Sequence, residues 1–576
     1  MKKALLPLSL MVLASAAHAT VQSIPKALQD LQAIKQVQAG RYVLKAALDE
    51  APENWFNLSP AQGIEGVGAE AVYAAYGLPA PKEDIIVAVI DSGVDVNHED
   101  LQNKIWINKG EIANNGQDDD NNGYIDDVFG WNFIGGKNGM ATIVEDSTLG
   151  NGLRLEKGDP AAQVNSDNLE VTRELARMRK YKATLESVGD TISAEKQAYL
   201  DSVEKIVKES KDTADSTLAR FKPMLAKMEA GTAILRAAGL SEITLATVRS
   251  FESTDPAVVA AKADVLSLLA SGYDQARLIR IVDYYGSQAN FYYNTELNTR
   301  SIVGDDYSNQ LQKGYGNNDV IGPDSSHGTH VSGIIAADRD NALGIKGVAT
   351  NVKIMAIRVV PDGDERDKDV ANGIRYAVDN GAKIINMSFG KSFSPYKGVV
   401  DAAMKYAEDK GVLLVHAAGN SNQNNDTAAN FPNRKVAETG IQLVNWLEIG
   451  ASAFEKGAEL PADFSNFGKY SVDIFAPGVD ILSTVPDNGY DTFSGTSMAS
   501  PAAAGVAALV LSYKDDLSIA ELRALIVDTS RRYPKLYVNK PGTSDLVLFS
   551  DLSINGSITD AQKAIESLIA QKKLSL

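Results

Sequence analysis

The sequence contains no cysteine. That excludes a disulfide framework, a thiol nucleophile and cysteine-ligated zinc. Histidine is nearly as scarce, at positions 18, 98, 327, 330 and 416 only, so imidazole chemistry has few candidates. Positive charge is short: 56 Lys and Arg stand against 74 Asp and Glu, a formal net charge of −18. Nucleic acid and anionic membrane surfaces are therefore poor partners, because like charges repel. There is no internal repeat, no Pro-rich or Gly/Ser-rich linker and, past the first twenty residues, no apolar run long enough to span a bilayer. What is present is a globular composition, 44% hydrophobic over 576 residues, enough for two or three domains.

The first residues, "MKKALLPLSLMVLASAAHAT", carry two lysines, a short apolar run and Ala17-His18-Ala19. This is the layout of a secretory signal peptide with an A-x-A cleavage site. Removal of residues 1–19 would take the formal charge from −18 to −20 and deliver the chain to the periplasm or the medium. No cysteine follows the cleavage site, which excludes a lipoprotein anchor. An exported chain without disulfides must be held by core packing, bound metal or both. Residues 20–51, with Leu28, Leu31 and Ile34 spaced among polar residues, read as one or two amphipathic helices, an N-terminal extension or short propeptide.

From Asp84 the pattern changes. "DIIVAVIDSGV", "VKIMAIRVV", "AKIINMSFG", "GVLLVHAAGN" and "QLVNWLEIGAS" are continuous apolar runs of strand length. Helical stretches lie between several of them, such as Asp369–Asn380 and Val399–Lys410, each closed by glycine. Strands apolar on both faces and alternating with helices predict an α/β protein whose parallel sheet is covered on both sides. In such sheets working residues gather at the carboxyl ends of strands, where Asp91 and Asn420 lie. Residues 140–313 differ: Val171, Leu175, Met178 and Leu185, then Tyr199, Leu200, Val203 and Ile206, follow a helical period. Asp255-Pro256 is a helix start, an N-cap followed by proline at N1. The segment predicts an all-helical insertion of hairpin or bundle type, either a spacer or a surface for a protein partner. Ser518-Ile519-Ala520-Glu521 reads as a capping box, and Thr559 as the opening of a C-terminal helix within 551–576.

"FSGTSMASPAAAGVAALVLSY", from Phe493 to Tyr513, places small residues and a proline at the start of an apolar helix. A helix leaves its first four N–H groups unpaired, so proline near its start loses little. Ser497 would project from that N-terminus, where free N–H groups and the macrodipole stabilise negative charge. Taken alone, the stretch fits a serine N-cap on a buried helix slightly better. A serine nucleophile needs a base. His327, in "SSHGTHVSGIIAA", stands at a loop-to-helix junction from which a ring can reach a cleft; His330 follows about one turn later. His98 falls in a polar turn, and His416 inside an apolar strand reads as a core residue. Such a base needs a carboxylate to orient it. Asp91, costly to bury unpaired at the end of its strand, fits that role.

The order Asp, His, Ser, together with "DSGVDVNHEDL", "HGTHVSGIIAA", "INMSFG", "AAGN" and "GTSMASPAAAGVAAL", resembles the subtilisin-like serine proteases, the subtilases of peptidase family S8. The resemblance covers residues 52–139 and 314–550, a discontinuous catalytic domain, and leaves out the insertion. It implies a three-layer subtilisin-like fold and an exported endopeptidase acting on proteins or peptides through an acyl-enzyme. Asp91 would orient the imidazole, His327 serve as base and then acid, and Ser497 attack. Asn420, with the Ser497 N–H, would donate to the oxyanion. Ser388, Phe389 and Gly390 would lie beside an extended substrate backbone. An α/β-hydrolase elbow would read G-x-S-x-G, whereas the chain has Gly495-Thr496-Ser497-Met498-Ala499. The alternative is a catalytically silent subtilase-like scaffold that binds a partner protein through the insertion.

A second constellation is "NGQDDDNNGYIDDVFGWNF". Asp118, Asp120 and Asn122 alternate, Gly123 follows, Tyr124 offers a carbonyl and Asp126 stands at loop position 9, the start of a calcium loop. Phe129 occupies the position where a complete EF-hand has glutamate. The competing reading is a solvated acidic turn. Close carboxylates repel without a cation, and subtilases commonly bind stabilising calcium, so the resemblance favours the metal.

Overall fold

The computed structural model describes residues 51–79, 83–148 and 150–574. A unit boundary falls between Ala51 and Pro52. The expected signal peptide and the extension up to residue 50 lie outside the described residues.

A nine-stranded sheet forms the centre. Its spatial order is Arg531–Arg532, Ser557–Ile558, Ile474–Pro477, Trp446–Ser452, Leu413–Ala417, Ile384–Met387, Ile85–Asp91, Val352–Arg358 and Gly130–Asn132. Pairing is parallel throughout except at the Arg531–Arg532 edge. The apolar runs become these strands because both faces are covered. Helices Asp367–Asp379 and Lys397–Asp409 cover one face, with Ile374, Ala403 and Met404 packed against Met355, Met387 and Leu414. Helices Ser326–Ala336 and Thr496–Tyr513 lie on the other, the latter across the strands from Ile384 to Pro477. The result is the expected three-layer α/β architecture.

Chain order decides where the cleft opens. Ile85–Asp91 comes first in the sequence, yet sits between Val352–Arg358 and Ile384–Met387. Later strands then extend away from it on one side only. The connections therefore diverge at Ile85–Asp91 and Ile384–Met387, which leaves a crevice at their carboxyl ends.

Several elements depart from expectation. Residues 140–313 are not helical from the start: Thr142–Glu145 and Leu153–Glu156 form an antiparallel hairpin, and α-helix begins only at Glu170. Beyond it lie Glu170–Ser187, the 44-residue Ala194–Ala237, Pro256–Ala270 and Gln275–Ser287. Leu175, Met178, Leu200, Val203 and Val207 form one apolar cluster, while Tyr199 and Ile206 are exposed. The expected stripe holds at Val171, Leu175, Met178, Leu200 and Val203, and departs at Ile206, whose place Val207 takes. Asp255 does cap its helix with Pro256 in the first turn, and Ser518 with Glu521 forms the capping box. Thr559 does not open the last helix; Asp560 caps Ala561–Ala570 by accepting from the Lys563 N–H. Thr496–Tyr513 is, by length and composition alone, apolar enough to cross a bilayer, contrary to the sequence reading. It is 89% buried inside the protein, where it serves as the central helix.

Candidate active site

Asp91 ends its strand at the crevice and is 1% exposed. Its Oδ1 accepts the Ser92 N–H at 2.7 Å and lies 2.7 Å from His327 Nδ1, while Oδ2 is buried without a partner. His327 is the second residue of helix Ser326–Ala336. The next residue, Gly328, lets that helix close on the Asp91 turn: a Cβ there would fall 2.1 Å from the Gly93 carbonyl oxygen. Burial pulls the His327 pKa down, but the charge and hydrogen bond of Asp91, with Asp324 behind them, more than reverse this and leave it raised. The ring stays 37% exposed towards the cleft. His330, one turn on, is buried, stacks on Phe493 and turns Nε2 to the carbonyls of Ile481 and Asp491. Burial first, then the His327 charge, lower its pKa to about 4, so it stays neutral and structural. His98 lies in the expected turn, with its ring buried against Tyr490. His416 is the expected core residue, paired with Glu448 at 3.1 Å.

Ser497 is the second residue of helix Thr496–Tyr513. Its hydroxyl donates to the Ser388 carbonyl at 3.1 Å, and the Ser388 hydroxyl donates to the Ser497 carbonyl at 2.9 Å. The second bond has a local cause. The helix begins at Thr496 as expected, and Pro501 has no N–H to give the Ser497 carbonyl; Ser388 fills the vacancy. Asn386 holds the arrangement, donating to Ser388 Oγ at 2.9 Å and accepting from Ser500 Oγ at 2.7 Å. These polar residues inside an apolar strand and helix were the available signal for the network, and the sequence reading passed over them.

Asn420 follows strand Leu413–Ala417. Its Oδ1 accepts both the N–H and the hydroxyl of Thr496, each at 2.8 Å. The amide is thereby oriented with Nδ2 as the outward donor. A Cβ placed on Gly495 would lie 3.5 Å from Asn420 Nδ2 and 3.5 Å from the Ser497 backbone nitrogen. The two donors converge on a space that glycine leaves open.

Beside the pair lies a cavity of about 300 Å³ whose walls include Asp91, His327, Asn165, Pro361, Ser388 and Phe389. Of the three expected substrate residues, Ser388 is buried with its hydroxyl spent on Ser497, Phe389 is half-buried in the cavity wall, and Gly390 is exposed. Asn165 was not anticipated. It belongs to the segment leading into the insertion, which carried no motif.

The acidic loop gathers differently from the expected ligand set. Asp118 accepts the N–H groups of Asn122 and Gly123, Asp126 those of Asn115 and Gly116. Asn122 Oδ1 accepts the Tyr124 N–H at 2.8 Å, and the Tyr124 ring is buried against Trp131 and Tyr376. The carboxylates that converge are Glu111, Asp120 and Asp127, with ligand oxygens within 4.8 Å of one another. Only Asp120 is common to both sets. Burial pushes the Asp127 pKa up to about 7 despite bonds from Tyr376, Asn122 and Asn108. Three hard oxygen donors around a costly buried carboxyl suit calcium.

The parallel sheet carries an Asp–His pair at its switch point, and Ser388, in the wall of the same cavity, is bonded to a serine at a helix N-terminus, the ingredients of an Asp/His/Ser hydrolase. The family model of the subtilase family matches residues 82–545, and the chain belongs to that family. The thermophilic serine proteinase of Bacillus sp. (strain AK1) is 40% identical over 211 residues, 36% of this chain and 48% of that protein. Thermitase of Thermoactinomyces vulgaris is 38% identical over 207 residues, 36% of this chain and 67% of that protein. The matched stretch spans about half the length of relatives such as the first. A crystal structure of a cold-adapted subtilisin-like serine proteinase is similar at 31% identity, covering 42% of this chain and 78% of that one, with a TM-score of 0.33.

Proposed function

We propose that the chain is an exported serine endopeptidase that cleaves proteins or peptides through an acyl-enzyme. The observation that carries this reading is the 2.7 Å contact between His327 Nδ1 and Asp91 Oδ1 at the cleft shared with the nucleophile helix. Asp91 fixes the tautomer that leaves Nε2 as the base and stabilises the imidazolium that forms. The Ser497 hydroxyl turns from the Ser388 carbonyl to that Nε2, loses its proton and attacks the scissile carbonyl. Asn420 Nδ2 and the Ser497 N–H take the developing negative charge, aided by the helix N-terminus. His327 then returns the proton to the leaving amine, and water reverses the sequence to release the acyl group. Each pass through the tetrahedral state uses the same two donors.

Calcium at Glu111, Asp120 and Asp127 stiffens the loop beside the sheet edge and takes no part in the chemistry. The N-terminal segment, read from sequence, directs export to the periplasm or the medium.

Labelling by a fluorophosphonate, with mass mapping of the modified residue, tests the assignment. Wild type is expected to carry the label on Ser497 and to degrade casein, and Ser497→Ala to do neither while keeping its fold. Unlabelled, inactive wild type points instead to a scaffold.

A further inference from the structure

The helical insertion begins beside the cleft. Asn165–Asp167 runs along the segment that follows strand Val352–Arg358. The Asp362 N–H donates to the Asn165 carbonyl at 2.8 Å, and the Asp362 carbonyl accepts the Asp167 N–H at 2.9 Å, a parallel bridge between Ser166 and Asp362. Gly363, at φ 141°, lies against this arm: a Cβ there would fall 2.4 Å from the Asp167 carbonyl oxygen. Farther along, the Glu170 N–H donates to Asp364 Oδ2 at 2.9 Å and Arg173 to the Asp364 carbonyl at 3.2 Å. From the other end of the insertion the hydroxyls of Ser287 and Tyr292 donate to the Asp362 carboxylate.

The donors of residues 359–362 on the catalytic body are all accounted for, one of them by this docking. The N–H groups of Val359 and Val360 both go to the Asp91 carbonyl. Pro361 has none, and that of Asp362 goes to Asn165. In a bridge of this kind the groups of Ser166 point away from Asp362. Neither the Ser166 N–H and carbonyl nor the Asn165 N–H has a partner among the described residues. Asn165 stands in the same cavity wall as His327 and Ser388. The arm is also rigid: Asp167 pairs with Arg366 at 3.0 Å, Glu170 with Arg173 at 3.0 Å and with Lys391 at 3.4 Å, all buried.

We propose that Asn165–Ser166 of the insertion arm forms one edge of the substrate groove, opposite Ser388–Gly390, and hydrogen-bonds the substrate main chain on the acyl side of the scissile bond. The proposal rests on the protease reading. The arm adds to the substrate as a strand adds to a sheet edge, so the contact reads extended backbone and rewards length on that side. The insertion thereby becomes a part of substrate selection.

The test compares chromogenic peptides with one and with four acyl-side residues, hydrolysed by the full processed chain. In wild type the longer peptide is expected to have the higher kcat/KM. Ser166→Pro removes the free N–H and should cut the ratio of the two kcat/KM values about tenfold, roughly the worth of one hydrogen bond. Asn165→Trp, at an exposed position, should narrow the groove and lower the same ratio. General damage affects both peptides and divides out. An unchanged ratio in the two variants overturns the proposal; if Ser166→Pro does not fold, the ratio in Asn165→Trp decides alone. Wild type that cleaves neither peptide and takes no fluorophosphonate overturns the protease reading, and the arm proposal with it.

Discussion

Ser388 and Ser497 hold each other by two reciprocal bonds, each hydroxyl donating to the other's carbonyl, at 2.9 and 3.1 Å. One bond is structural, since it serves a carbonyl that Pro501 leaves without its helical donor. The other occupies the Ser497 hydroxyl, which on the protease reading proposed above turns from it to His327. Ser388→Ala removes the structural bond and, with it, the acceptor of the Asn386 amide, while the Ser388 carbonyl stays to hold Ser497. It is expected to destabilise the protein by about 1–3 kcal/mol, the cost of a buried unpaired carbonyl, read as a lower urea midpoint.

Asn420 is oriented by two donors from Thr496, so its free Nδ2 is set before substrate arrives. Asn420→Ala should lower kcat about 10²–10³-fold with little change in KM, because the lost interaction belongs to the transition state. A loss confined to KM would remove Asn420 from the oxyanion site.

The pH profile follows from the Asp91–His327 contact. The raised imidazole pKa places the acid limb of kcat/KM above the ordinary value of about 6.5, with activity appearing as the ring loses its proton. Stability has the opposite sign. The charged pair stabilises the fold fully below the unfolded pKa, and that contribution is lost as pH rises through the raised folded one. Asp91→Asn removes the raising charge and leaves burial to act. The acid limb should move to lower pH, and kcat should fall by about 10⁴.

Calcium removal should lower the thermal midpoint. A cation bound only by the folded state stabilises by about 2.7 kcal/mol at a hundredfold excess over Kd. Glu111→Gln combined with Asp120→Asn should abolish the calcium-dependent rise, whereas Asp118→Asn should preserve it, since Asp118 lies outside the converging set of Glu111, Asp120 and Asp127. An equal midpoint with chelator and with excess calcium would exclude the site.

The insertion root is a set of buried ion pairs. Asp167, 2% exposed, is shared by Arg173 and Arg366. Burial raises its pKa, but the two guanidinium groups outweigh that and hold it below the ordinary carboxylate value. Its stabilising contribution is therefore present above about pH 4 and is lost as pH falls through the lowered pKa. Asp167→Ala should cost about 3–5 kcal/mol, because it leaves buried cations without their partner. Differential scanning calorimetry at neutral pH measures the loss.

The sequence by itself determined the class of fold, because strands apolar on both faces have one stable environment, a covered parallel sheet. It also pointed to Asp91, His327, Ser497 and Asn420 as candidates, through their places at element boundaries together with the motifs that resemble the subtilases. Tertiary structure decided the rest. The carboxylates that converge are Glu111, Asp120 and Asp127 rather than Asp118 and Asp126, because the turn of the loop folds Glu111, outside the acidic run, back over it to accept the Asp119, Asp120 and Asp126 N–H groups. Ser388 turned inward because a proline five positions past its first helical turn's start, at 501, left a carbonyl to be served. The arm at Asn165 reached the cleft through bonds to Asp362, nearly two hundred residues away. Local patterning records what one stretch needs to bury, whereas partners brought together by the sheet depend on which polar groups other stretches leave unpaired.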